Sequence, residues 1–153
     1  RRRAAAITTM RRLVLALLML AALPAAAIDY LSLADATVMY DAPSAKATPL
    51  FVIARHTPVE AVVSVEGWVK VRDASGSLAW IEKRQLSEKR TLLVTAARAH
   101  VLAKPEANAP LVFEAEKDVV LELLEPLPGT GWAKVKHRGG QSGYIRVTQV
   151  WGI

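Results

Sequence analysis

Hydrophobic and polar residues alternate along several stretches of the chain with the period of two that predicts β-strands. In residues 59–65 every second position is valine or alanine, and in residues 68–72 two valines alternate with larger polar or aromatic residues. Because neighbouring side chains of a strand point to opposite faces, we expect Val69 and Val71 in the core. The polar, glycine-containing segment 73–77 predicts a hairpin loop after this strand.

The pattern occurs twice. The segment GWVKV at residues 67–71 returns 64 positions later as GWAKV at residues 131–135, and an aromatic-isoleucine pair and a glutamine follow at the same offset. Upstream of the tryptophan the offset is 61 or 62. The matched pairs there are Leu50 with Leu111, Val59 with Val120, and Pro43 with Pro105. A repeat of this kind sets the architecture of a chain.

One segment, residues 116–127, is ambiguous by itself. Its leucines and valines could form one face of an amphipathic helix. Its partner in the first copy is rich in β-branched residues, which favour strands. We therefore predict a strand for both segments.

The two copies resemble the bacterial SH3 domain family. Each has Gly-Trp-x-Lys-Val, a glycine-bearing turn, an aromatic-isoleucine pair and an ending in Gln-Leu or Gln-Val. The resemblance implies an all-β fold with two tandem small SH3-like β-barrels, at residues 28–87 and 88–153. It also implies an accessory module that binds cell-wall peptides or protein partners in exported proteins.

The polyproline groove of the eukaryotic relatives is largely missing. Tyr40 belongs to a faint version of the first groove motif, but glutamate and arginine occupy positions 82 and 146, where the groove proline is expected. Glutamines stand at positions 85 and 149 in place of the groove tyrosine. Because a polyproline platform needs several aromatic walls, we do not expect this ligand.

The N-terminus has the three parts of a secretory signal peptide. Arg11 and Arg12 precede an apolar run of eleven residues, 13–23, and small residues follow Pro24. Such a run is too short for a membrane span, which needs roughly 20 apolar residues. We therefore expect a signal peptide at residues 1–27, with a start possible at Met10, and an extracytoplasmic location, either periplasmic or secreted.

Removal of this segment changes the charge. The full chain has 20 basic and 14 acidic residues, a net charge of +6. Five of the arginines precede Asp29, so the remainder has 15 basic and 14 acidic residues and a net charge of +1. We therefore expect no nucleic-acid partner, because such binding depends on a strong positive footprint.

The most distinctive side chains are expected on the outer faces of the two GWxKV strands. An aromatic ring beside two cations can hold a carboxylate or a flat ligand. The alternative is that each tryptophan packs against a loop or the other barrel. The candidate binding residues are Tyr40, Trp68, Lys70, Arg72, Trp132, Lys134 and Lys136. We expect Trp80 and Tyr144, beside core isoleucines, mainly to pack.

No motif predicts catalysis, a cofactor or a metal site. The sequence has no cysteine, and none of its three histidines has a second ligand at metal-binding spacing. We expect a non-catalytic exported binding module that recognises a cell-wall peptide or an envelope protein. The alternative is a structural or assembly protein that docks within a larger envelope complex and has no ligand of its own.

Overall fold

A computed structural model describes residues 27–153, so residues 1–26 of the expected signal peptide lie outside the described part. The described chain is an all-β structure, as predicted, with two antiparallel seven-stranded sheets. The first sheet contains β1 Asp29–Leu33, β2 Thr37–Tyr40, β3 Pro49–Ile53, β4 Pro58–Val65, β5 Trp68–Arg72, β6 Leu78–Glu82 and β7 Leu86–Ser87. The second contains β8 Thr91–Val94, β9 Arg98–Leu102, β10 Leu111–Glu116, β11 Val120–Leu127, β12 Trp132–Lys136, β13 Ser142–Arg146 and β14 Val150–Trp151.

The two sheets have the same topology. The strand order is β3-β2-β6-β5-β4-β1-β7 in the first and β10-β9-β13-β12-β11-β8-β14 in the second. Each sheet curls around its own hydrophobic core, so the molecule consists of two small barrels. Residues 120–127 form strand β11, which confirms the choice of strand over helix.

The alternation predicted for the GWxKV segment is present in the structure. Val69 and Val71 are buried in the first core, while Trp68, Lys70 and Arg72 point to the other face. The glycine of the motif is needed because Gly67 has φ +79°, a left-handed conformation that other residues adopt at a cost. Its carbonyl accepts the backbone N–H of Lys83 at 2.8 Å, which ties the turn to the end of β6.

The structure corrects the register of the repeat upstream of the tryptophan. Val59 faces Leu31 across the β1–β4 ladder, and Leu121 faces Leu92 across the β8–β11 ladder. Val59 and Leu121 are both fully buried, so they are the equivalent positions, at an offset of 62. The predicted match of Val59 with Val120 was wrong by one residue.

The same correction applies in the preceding strand. Phe51 faces Met39, and Phe113 faces Val101 in the second barrel. Leu50 therefore corresponds to residue 112, one position after the predicted Leu111. The offset becomes 64 in the next hairpin, because two residues join Val65 to Trp68 but four join Leu127 to Trp132.

The barrels contact each other where the chain passes from Ser87 to Thr91. The Thr91 hydroxyl donates to the His56 carbonyl at 2.7 Å, and the Ser32 hydroxyl donates to the Lys89 carbonyl at 2.6 Å. An aromatic pair joins the first strand of one barrel to the last strand of the other: the Tyr30 and Trp151 ring centroids are 5.2 Å apart. Polar and aromatic contacts thus both hold the junction.

Candidate functional site

Four side chains on the outer side of the first barrel form a surface that we call the aromatic face: Tyr40, Trp68, Lys70 and Trp80. The antiparallel register places them together, since Trp80 lies opposite Lys70 on one side and opposite Tyr40 on the other. All four are partly exposed, while the residues that alternate with them fill the core. The face therefore results from strand alternation on three adjacent strands.

The rings of this face have a defined arrangement. Tyr40 and Trp68 meet edge to face, with centroids 5.6 Å apart and planes at 85°. The Lys70 ammonium lies 6.0 Å from the centroid of Trp80, at the outer limit of a cation–π contact. Flat apolar surface and a positive charge are thus side by side, which suits a ligand with an apolar part and an anionic part.

Neighbouring charges leave Lys70 as the available cation. Arg72 donates from Nη1 to the Glu60 carboxylate at 2.9 Å, so its charge is already compensated. Glu82 is paired with Arg84. Lys70 has no ion-pair partner among residues 27–153. Of the expected trio Trp68, Lys70 and Arg72, the arginine is therefore engaged in an ion pair, and the cation–π contact of Lys70 is with Trp80.

The equivalent surface of the second barrel is different. Trp132 was expected on the outer face like Trp68, with packing as the alternative, and it is only 6% exposed. The Arg146 guanidinium lies 4.5 Å from its ring centroid and covers it. Leu102 takes the place of Tyr40 opposite Tyr144, which removes one aromatic wall. The second barrel therefore lacks an open aromatic face.

The two lysines predicted to flank Trp132 lie along β12. Lys134 faces Tyr144, and Lys136 faces Glu122 on one side and Ser142 on the other. Neither forms an ion pair with another residue in the described part of the chain. Both lysines thus remain available as cations, but next to a covered tryptophan.

Trp80 was missed as a member of the site, because its neighbour Ile81 suggested a packing role. Ile81 is indeed fully buried. Alternation along β6 then places Trp80 on the outer face with Glu82. Strand alternation, which correctly placed the residues of β5, would have identified Trp80 if it had been applied to β6 as well.

Two classes of feature are absent from residues 27–153. No group of three or more histidine, aspartate or glutamate side chains is arranged to hold a metal ion. No helix within this range has the length and apolar character required to cross a membrane.

Comparisons with known proteins agree with this architecture. A family model described as bacterial SH3 domain matches residues 34–88 and again residues 95–152. The two matched segments cover most of the chain, and each corresponds to one barrel. No curated protein gives a significant match.

The solved structures to which this chain shows some similarity include NlpC1 from Trichomonas vaginalis, at 17% identity and a TM-score of 0.38. Another is an NlpC/P60 family protein from Bacillus cereus ATCC 10987, at 16% identity and a TM-score of 0.36. The matches cover 85% and 80% of this chain but 48% and 55% of those chains, so this chain spans about half their length. At such TM-scores these likenesses support no conclusion about activity.

Proposed function

Since the chain belongs to the bacterial SH3 domain family, we propose that it is an exported, non-catalytic binding protein whose first barrel recognises a cell-wall peptide. The observation that carries this proposal is the aromatic face, where Trp68 and Trp80 are partly exposed beside the Lys70 ammonium, which has no ion-pair partner within residues 27–153. Bacterial SH3 domains act as binding modules in proteins of the cell wall. Export is supported by the signal-peptide pattern in residues 1–27.

The chemistry of the aromatic face suits a short peptide. Small apolar side chains of a peptide would lie on the rings of Tyr40, Trp68 and Trp80, and a peptide carboxylate would pair with Lys70. In residues 27–153, the hydrogen bonds, ion pairs and ring contacts between the two barrels use residues outside the aromatic face.

A non-catalytic role is supported by the residues themselves. The sequence has no cysteine and so no thiol nucleophile. Within residues 27–153, no histidine ring is hydrogen-bonded to a serine or threonine hydroxyl: His100 contacts Glu114 at 3.1 Å and His137 accepts a backbone N–H from Gly139. Neither contact lies on the aromatic face.

Co-sedimentation with isolated peptidoglycan sacculi tests the proposal. The chain from residue 28 to residue 153 should pellet saturably, above an inert protein of similar size. Lys70→Ala and Trp80→Ala should each weaken pelleting by about tenfold or more, since each removes a charge-assisted contact or a central aromatic contact. Lys134→Ala is the matched control, because Lys134 has the same strand position in the second barrel.

Two results would contradict the proposal in different ways. No pelleting above the inert protein would reject wall recognition, and a specific partner captured by crosslinking in the envelope would then favour the assembly role. Equal weakening by Lys70→Ala and Lys134→Ala would reject the aromatic face as the binding site.

A further inference from the structure

A second candidate site, lined by many polar residues, lies between the two barrels, and we call it the inter-barrel cleft. Residues of both repeats line its two adjoining lobes, which share His56, Val120 and Arg138. Six basic side chains line the cleft: Arg55, His56, Lys89, Lys136, His137 and Arg138. They come from the β3–β4 turn of one barrel, the segment between the barrels, and the β12–β13 hairpin of the other barrel.

The balance of charge in the cleft is positive. Counting the histidines as neutral, four cations face two carboxylates, those of Asp118 and Glu122. Two of these cations are already compensated: Lys89 lies 3.5 Å from the Glu122 carboxylate, and Arg55 lies 3.7 Å from the Asp35 carboxylate outside the cleft. Within residues 27–153, Lys136 and Arg138 have no ion-pair partner. This excess contrasts with the near-neutral charge of residues 28–153 as a whole.

The backbone at the cleft carries polar side chains where glycine would fit best. His56 and Asp118 have φ +66° and +69°, and they are the non-glycine residues in 27–153 with positive φ. Their N–H groups donate to equivalent carbonyls, those of Leu33 at 2.8 Å and Val94 at 2.9 Å. Both copies therefore place a titratable side chain on a left-handed turn at the cleft, a conformation that tends to occur at functional sites.

Hydrogen bonds that involve backbone groups hold the His56 turn and the His137 ring of the cleft. The His56 carbonyl accepts the Thr91 hydroxyl from the other barrel at 2.7 Å, which holds this turn in place. His137 Nδ1 accepts the Gly139 N–H at 3.1 Å, so the proton of the neutral ring is on Nε2. His137 therefore offers an N–H donor in addition to the charges of Lys136 and Arg138.

From this arrangement we infer that the inter-barrel cleft binds an oxyanion, a carboxylate or phosphate group, held by Arg138, Lys136 and the histidine N–H groups. Arginine suits either group because its planar fork donates two parallel hydrogen bonds. Asp118 is the one carboxylate of the cleft without a cationic partner in the described residues, and it limits the charge that the cleft accepts. The site is separate from the aromatic face and does not depend on the function proposed there.

Nuclear magnetic resonance titration tests this inference. The chain with both barrels is titrated with inorganic phosphate, and separately with glutarate, at constant pH and ionic strength, while the imidazole signals of His56 and His137 are followed. Saturable shifts of both signals are expected, and the probe that saturates at the lower concentration identifies phosphate or carboxylate as the preferred group. Arg138→Gln should raise the dissociation constant by about tenfold or more, as expected for loss of a charge-assisted contact.

Arg98→Gln is the matched control. Arg98 is an exposed arginine of the same barrel, lies 3.5 Å from the Glu114 carboxylate and is outside the cleft. Lys136→Gln is a second cleft variant that should also weaken binding. The titration follows the cleft histidines and the pelleting assay follows wall binding, so failure of this site and failure of wall recognition are distinguished. Absence of saturable shifts with both probes, or equal weakening by Arg98→Gln and Arg138→Gln, would overturn the inference.

Discussion

The contact between Tyr30 and Trp151 should couple the stability of the two barrels. Tyr30 belongs to β1 of the first sheet and Trp151 to β14 of the second. Their rings are 5.2 Å apart and nearly perpendicular, at 81°, which is a favourable edge-to-face geometry. Replacing either ring by alanine breaks the same contact, so the double variant should lose less free energy of unfolding than the sum of the two single variants.

The expected size of this coupling follows from the geometry. An edge-to-face aromatic pair contributes about 0.5–1.5 kcal/mol beyond the area that it buries. The Arg90 guanidinium also lies 5.5 Å from the Tyr30 centroid and donates to the Gly152 carbonyl at 2.7 Å. Because Arg90 contacts the tyrosine directly, its contribution is lost in each variant that lacks Tyr30 and is not counted as coupling with Trp151.

Urea denaturation, monitored by circular dichroism, gives the free energies of unfolding for a double-mutant cycle. The wild type, Tyr30→Ala, Trp151→Ala and the double variant give the coupling free energy, which we expect at about 0.5–1.5 kcal/mol. Tyr144 lies on the outer side of β13, so a Tyr30→Ala/Tyr144→Ala cycle is the control and should be additive within about 0.5 kcal/mol. Additive effects of the Tyr30 and Trp151 variants would refute a contribution of this contact to the junction.

Two further predictions concern single positions. A Cβ at Gly143 would lie 2.6 Å from the Leu102 carbonyl oxygen, so Gly143→Ala should lower the free energy of unfolding by about 1–3 kcal/mol in urea; an unchanged urea midpoint would contradict this. Burial, with a smaller effect of the Glu60 carboxylate, raises the pKa of Tyr30 above its ordinary value of 10.0. The folded state therefore keeps the phenol proton more tightly than the unfolded state, and this stability is complete below about pH 10 and is lost as pH rises through the raised pKa. Tyr30→Phe should remove that part of the alkaline loss, seen as a smaller fall of the urea midpoint above pH 10, and an identical fall in both proteins would count against it.

The strands and their cores could be predicted because two patterns, the alternation along each strand and the repeat, indicate the same strands and the same buried positions. Val69 and Val71 are buried as expected, and the repeat partner decided correctly for a strand at β11. The register of the repeat upstream of the tryptophan was harder to predict. Both β4 and β11 contain a bulge, and the hairpin that follows β11 is two residues longer, so a match made by residue type alone shifted by one position.

The solvent exposure of Trp132 could not be predicted from the spacing of its motif. Trp132 and Trp68 have the same place in the same motif, yet their exposure depends on the residue across the ladder. Arg146 faces Trp132, whereas Glu82 faces Trp68. The ring contact across the junction was also beyond prediction, because Tyr30 and Trp151 are far apart in sequence and no local pattern sets the relative position of two barrels.

The difference between Glu82 opposite Trp68 and Arg146 opposite Trp132 also explains why the two barrels should differ in function. A guanidinium is attracted to the face of an indole ring, so Arg146 remains on Trp132 and closes that surface. A carboxylate is not attracted to a ring face, and Glu82 turns instead to Arg84. Trp68 consequently stays partly exposed beside Tyr40, and the first barrel retains a surface on which a ligand can lie. If the aromatic face binds a peptide, the second barrel contributes through the junction and the inter-barrel cleft and not through a second copy of that face.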